Sequence, residues 1–214
     1  VPWLFDDQSS DVVRSFVKLK HRLMPYVFRA AMEARDTGAP VMRPMVFEYP
    51  GDPAAAHLDM QYMLGASLLV APVSPTMARW STGQVRVGGR WHGGRYDYLS
   101  LPLYVRPATL LALGAEDSRP DYDYQEGVEL RLYRMEKGQS AVCEIPTTTG
   151  EAAARVTASR DARVLTFQLS RQIPHGILAL CGISAVSDVK GGTARARGAD
   201  TVITPRDTTV IVTL

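Results

Sequence analysis

This sequence is poor in the residues that build metal and redox sites. Its two cysteines, Cys143 and Cys181, stand in the apolar contexts SAVCEI and LALCGI without CxxC spacing, so both read as small core residues and fit a reducing compartment. The four histidines, His21, His57, His92 and His175, lie far apart and none pairs at ligand spacing, which argues against a metal site. No metal and no cofactor is expected. An excess of one charge is lacking too: 24 basic against 22 acidic residues leave a formal net charge of +2, too weak a field to select nucleic acid. No apolar run approaches the roughly 20 residues of a membrane-spanning helix, so no membrane partner is expected. The opening VPWLFDDQSS has neither the basic region nor the cleavage pattern of a signal peptide. It also lacks an initiator methionine, so the chain is expected to begin inside something larger or after processing.

Nucleophile and phosphate motifs are missing as well. There is no GxSxG elbow and no GxxxxGK[ST] loop. GGRWHGGR, residues 88–95, is glycine-rich, but it follows no clear strand and opens no helix, so it reads as a loop. Aromatics cluster around it, and Trp80, Trp91 and Tyr98 are candidates for stacking on sugar rings; packing or interface roles are the plainer explanation of such residues. Paired carboxylates are the remaining catalytic option. Asp6 and Asp7 are better read as helix caps. Asp121 and Asp123 flank Tyr122 and would share a side in extended chain, yet nothing marks them as the buried, closely spaced pair that a retaining glycosidase needs. No catalytic residue is assigned.

What is present is one strong helix and many short strands. Hydrophobic residues make up 46% and charged residues 21%, the balance of an ordinary globular protein. From about Ser9 to Arg35, the residues Val12, Phe16, Leu19, Leu23, Val27 and Ala30 recur at steps of three and four and share a face. Pro25 should kink this helix, and Gly38 with Pro40 should stop it. Val41 to Phe47, Ser67 to Val73, Leu101 to Val105 and Leu110 to Leu113 read as a first group of strands. Further strands are expected over 128–135, 141–145, 155–158, 163–169, 177–180, 185–189, 201–203 and 208–214, with turn pairs such as Lys137-Gly138 and Arg206-Asp207 between them. That spacing is the pattern of antiparallel sandwiches. Within it, Leu165, Phe167 and Leu169 alternate with Val164, Thr166 and Gln168.

GAPVMRPMVFEYPGDP, residues 38–53, sets Arg43 and Glu48 in an apolar run. As a continuous strand it puts the two on opposite faces, so they cannot face each other. Pro44 implies a sheet edge or a strand end. An arginine on an apolar face requires a buried carboxylate or carbonyl partner, and Arg43 is therefore read as a structural tie between helix and sandwich.

The order of these features resembles glycoside hydrolase family 31, the α-glucosidase and α-xylosidase family. The resemblance is carried by residues 1–53 followed by LDMQYMLGASLLVAPV, and then by LSLPLYVRPATLLALG and RPDYDYQEGVELRLYRMEKGQSAVCEIP, which look like the bacterial α-xylosidase branch. It implies a mainly β fold in which residues 1–38 are the last helix of a (β/α)₈ barrel and its cap. Residues 39–114 would be a proximal β-sandwich and residues 115–214 a distal one. In that family the nucleophile and acid/base aspartates, with a sugar-holding arginine and histidine, lie upstream of the matching segment, so none is carried over to this chain. The resemblance departs between Val73 and Leu101, where the family's strand and its YLPxGxW turn are replaced by the quick passage SPTMARWSTGQ, leaving an edge strand lost or its pairing rearranged.

The implied function is that of a C-terminal fragment of a retaining α-xylosidase or α-glucosidase, hydrolysing O-glycosidic bonds in carbohydrate metabolism. The chain itself would supply structural support. Its partners would be α-xylosides or α-glucosides for the parent enzyme, a barrel domain, and further copies in a homo-oligomer, with a cytoplasmic location. The alternative is a stand-alone carbohydrate-binding or assembly module.

Overall fold

A computed structural model describes residue 1, residues 4–71 and residues 102–214. The fold is mainly β. Asp6 opens the first helix, α1 (Asp7–Arg22), by accepting the Ser9 backbone N–H at 2.6 Å on its carboxylate, and Lys20, His21 and Arg22 sit at the negative end of the helix dipole. A second helix, α2 (Met24–Thr37), follows after the single residue Leu23. The long helix expected from the periodicity is thus two helices in near-continuous register, with the Leu23 N–H donated to Leu19 and the Val27 N–H donated to Leu23. Pro25 lies in the first turn of α2, where a missing N–H leaves no carbonyl unpaired. Gly38, in the left-handed region, ends α2 by donating its N–H to Ala34.

The next segment departs from the expected strand over 41–47. Only β1 (Met42–Pro44) is extended; α3 (Met45–Glu48) then winds one helical turn, and a 3₁₀ turn (Pro53–His57) follows. Pro44 ends the pairing because it has no N–H to donate, and its fixed φ suits the residue before a helical turn. Among the described residues, β1 forms with β2 (Tyr62–Leu64), β3 (Leu68–Val70) and β4 (Leu103–Val105) a four-stranded antiparallel sheet in the order β1-β2-β3-β4, with Pro44 on an outer strand of that set. The shortened Val73–Leu101 passage lies outside the described residues.

The rest of the chain makes two five-stranded sheets. One has the order β12-β13-β10-β6-β5, built from β5 (Thr109–Leu113), β6 (Glu129–Tyr133), β10 (Ile177–Cys181), β12 (Gly192–Arg197) and β13 (Asp200–Pro205). The other has the order β11-β14-β9-β8-β7, from β7 (Ser140–Pro146), β8 (Ala152–Asp161), β9 (Val164–Leu169), β11 (Asp188–Lys190) and β14 (Thr209–Thr213). Their inner faces share one core, in which Leu130, Leu178, Leu180 and Ile203 meet Ile145, Val156, Leu165, Phe167, Val210 and Val212. The alternation read in 163–169 is real: Leu165, Phe167 and Leu169 are buried while Gln168 is exposed.

Two features of this sandwich differ from a simple antiparallel reading. β6 and β10 pair in parallel, because the chain crosses to the opposite sheet for β7, β8 and β9 before returning. And β5 hydrogen-bonds along its length to β6, so the sheets divide between Val105 and Thr109, ahead of the boundary drawn near Gly114. At the far end the chain turns from β11 into β12 through Gly191. Its φ of +77° and a position where a Cβ would lie 2.1 Å from the Thr209 carbonyl oxygen leave room for glycine alone.

Helix, small sheet and sandwich meet in a second core. Leu23, Leu68, Val70 and Leu103 pack on Leu111 and Leu113 of β5, with Leu19, Val27 and Tyr133 at its rim. This places the outer face of the β5 sheet beneath the helices and makes β5 the shared wall of both cores.

Candidate functional site

Several side-chain ties join the layers where they meet. Tyr26 on α2 pins the β2–β3 turn. Its hydroxyl donates to the Leu64 carbonyl at 2.7 Å and accepts the Ser67 N–H at 3.0 Å, and burial raises the phenol's pKa. Arg29, one turn along, donates from Nε to Glu144 on β7 at 2.9 Å. Between α2, the Ala66–Ser67 turn, β5 and β7 lies an open cleft of about 320 Å³, lined by Arg29, Glu33 and Glu144 together with Leu110, Val142 and Cys143. The Cys143 thiol is buried beside it, and burial pushes its pKa up to about 12. A thiol held that far from ionisation is no nucleophile.

Arg43 is 6% exposed. Its Nε donates to the Pro40 carbonyl at 3.0 Å, its Nη2 lies 3.1 Å from Glu33 on α2 without the alignment of a hydrogen bond, and its Nη1 approaches Glu48 at 3.5 Å. Glu48 also receives Arg106 at 2.8 Å, and Arg106 donates to the Tyr49 hydroxyl at 2.6 Å. The expectation that Arg43 and Glu48 cannot face each other is therefore overturned. It assumed unbroken strand geometry, and the helical turn at Met45 swings Glu48 back toward Arg43.

The densest cluster surrounds Glu129 at the start of β6. Its carboxylate accepts Arg131 Nε at 2.6 Å and Arg197 of β12 at 2.5 and 3.2 Å, with Arg22 of α1 at 3.5 Å. Burial alone would push this carboxyl up, but the Arg197 and Arg131 hydrogen bonds and charges outweigh it and hold the group below its ordinary 4.5. Arg22 also donates from Nε to the Gly114 carbonyl at 3.1 Å, and Gly114 returns its N–H to the Arg22 carbonyl at 2.7 Å. Nearby, Tyr122 donates to the His21 carbonyl and stacks edge-on against Tyr124.

Chemically, the carboxylates here are paired with arginine. The buried Glu129 and the half-buried Glu48 are each held by arginine, and the pKa of the Glu129 carboxyl is lowered rather than raised as a general acid requires. Asp123 spends its side chain on the Gln125 N–H. No group of three or more metal-ligating side chains occurs among the described residues. Trp80, Trp91 and Tyr98, the candidates for sugar stacking, lie outside the described residues. Glu129, Arg197 and Arg106 were not singled out from sequence. Glu129 and Arg131 sit in ELRLY, an unremarkable strand, and Arg22 and Arg197 join them only through the fold.

Comparison with known proteins gives these junctions a context. Residues 38–111 match the glycosyl hydrolase family 31 C-terminal domain, and residues 123–214 match the C-terminal domain of alpha-xylosidase YicI. An alpha-xylosidase of Emericella nidulans is 32% identical over 150 residues, covering 61% of this chain and 19% of that protein. Alpha-glucosidase 2 of Bacillus thermoamyloliquefaciens is 26% identical over 192 residues, covering 70% of this chain and 24% of that protein. Among solved structures, a Flavobacterium johnsoniae family 31 dextranase complexed with glucose superposes on the whole chain with a TM-score of 0.81 at 18% identity, which shows the fold. The chain spans about a third of that structure, and a quarter or less of these two curated relatives.

Proposed function

From a chain that belongs to the C-terminal region of glycoside hydrolase family 31, we infer that its work is to buttress the catalytic part of a retaining α-xylosidase or α-glucosidase rather than to supply the reacting carboxylates. The observation that carries this reading is the arginine pairing of the buried Glu129 and the half-buried Glu48. A retaining glycosidase needs two carboxyl groups about 5 to 5.5 Å apart, one kept protonated by its surroundings. Glu129 is held in the opposite state, its pKa lowered by the Arg197 and Arg131 hydrogen bonds and charges. The substrates of the whole enzyme would be α-xylosides or α-glucosides, and its setting the cytoplasm; no helix among the described residues is long and apolar enough to cross a membrane. The units expected at residues 1–38, 39–114 and 115–214 would act as helix, proximal unit and distal unit of this support, with β5 (Thr109–Leu113) hydrogen-bonded into the distal one. The purified chain is expected to release no nitrophenol from an aryl α-xyloside. Hydrolysis proportional to chain concentration, and retained through repurification, would refute the assignment.

Arg43 has a place in the same support. Its bonds to Pro40 and its approach to Glu33 and Glu48 join the end of α2 to the edge of the small sheet. Arg43→Met keeps most of the side-chain volume and removes the charge. Glu48 retains Arg106, and Glu33 is 37% exposed to water, so the cost is expected to be about 1–2 kcal/mol, below that of a fully buried broken pair. Urea denaturation reads this directly, and an unchanged midpoint would remove Arg43 from the structural account.

A further inference from the structure

Three guanidinium groups from three separate elements converge on one carboxylate. Arg22 ends α1, Arg131 lies in β6 and Arg197 ends β12, and all three reach Glu129. Glu129 is buried with both oxygens occupied, whereas the arginines are 36%, 25% and 37% exposed. The cluster therefore carries three positive charges against one, with spare N–H donors on its solvent side. The other groups facing it cancel the excess only in part. Asp200, opposite Arg197 across β12 and β13 and accepting the Gly182 N–H, offsets one further charge, while the Tyr133 phenol, pushed up to about 12 by burial, stays neutral, so one net positive charge remains. The C-terminal end of α1 contributes only partial negative charge.

Like charges held together this way cost free energy unless a counter-charge completes the set. Glu129 orders the three side chains in advance, so an incoming anion meets donors whose rotamer entropy is already lost. Planar guanidinium forks match the oxygens of a tetrahedral oxoanion in pairs. We propose that the Arg22–Arg131–Arg197 cluster is a binding site for a small dianionic oxoanion with the chemistry of inorganic phosphate. The ligand sits over the outer face of the β6 sheet, bridging the end of α1 to β12. It would strengthen the contact between helix and sandwich that Glu129 begins.

The test is a titration of the 214-residue chain with inorganic phosphate, against sodium chloride at matched ionic strength, followed by amide chemical shifts. Saturable shifts around Arg131, Cys181 and Arg197, with a Kd on the order of millimolar, are expected. Sulfate should compete. Arg22→Gln, which leaves the shorter Glu129 contacts to Arg131 and Arg197 in place, should weaken phosphate about tenfold, and exposed Arg171→Gln should leave it unchanged. Arg197→Gln should weaken phosphate as well, and should it fail to fold, Arg22→Gln alone decides. Shifts that track ionic strength without saturating, or a Kd unmoved by Arg22→Gln, would overturn the site.

Discussion

Glu129→Gln is expected to destabilise the chain by about 3 kcal/mol, the low end of the cost of breaking a buried ion pair. The variant keeps the shape of the side chain and removes only its charge. The amide oxygen can keep the position that accepts Arg131 and Arg197 at 2.6 and 2.5 Å, but the NH2 then replaces the oxygen that faces Arg197 at 3.2 Å and Arg22 at 3.5 Å, donor against donor. Water reaches the partly exposed guanidinium groups and absorbs part of the penalty, which is why the low end applies. The pH dependence separates this from simple loss of packing. The carboxyl's folded pKa lies below its ordinary 4.5, so its contribution is fully present above that value and is lost as pH falls through the folded pKa. Subtracting the variant's stability from that of the wild type should therefore give a constant above about pH 5 that shrinks on acidification. A difference that is flat down to the acid transition would mean that Glu129 acts through shape alone.

That cluster also marks what sequence reasoning could and could not reach. The helix was legible because its signals are local: an acid at the N-cap, apolar steps of three and four, and a glycine in the left-handed region at the end. β9 was legible because one face is buried and the other is wet. β12 escaped because Gly192–Arg197 is an edge strand whose residues are mostly exposed, so no alternation is imposed on it. The run after Pro44 has the composition of a strand, and a helical turn won because the proline had already ended the ladder. β2 was missed because three residues are too few to display a period. Long-range pairing was out of reach for a different reason. Arg22, Glu129 and Arg197 are adjacent only once α1 lies on a sheet whose strands β6 and β12 are separated by two others. Composition carried the class of the fold, and topology carries the charge clusters.

Gly114→Ala tests that topology at its tightest point, and its expected cost is about 3–4 kcal/mol, the upper range for overpacking together with one lost hydrogen bond. Glycine is required here by space: a Cβ would lie 1.8 Å from the Tyr122 hydroxyl and 2.5 Å from the ring carbon that bears it. The ring has nowhere cheap to go. It is buried edge-on against Tyr124, and its hydroxyl is bonded to the His21 carbonyl at the end of α1. Moving it breaks that bond and strains the pair that Gly114 makes with Arg22, so the helix loosens from the sandwich before the sandwich loses its core. Hydrogen exchange should accordingly accelerate first at the amides of residues 19–23 and 114, while those of β9 and β14 keep their protection. Tyr122→Ala removes the obstructing ring, so the double variant should be less destabilised than the sum of the two single changes by more than about 1 kcal/mol. Additive costs would show that the glycine and the tyrosine do not share this contact, and that α1 is held to the sandwich by other means.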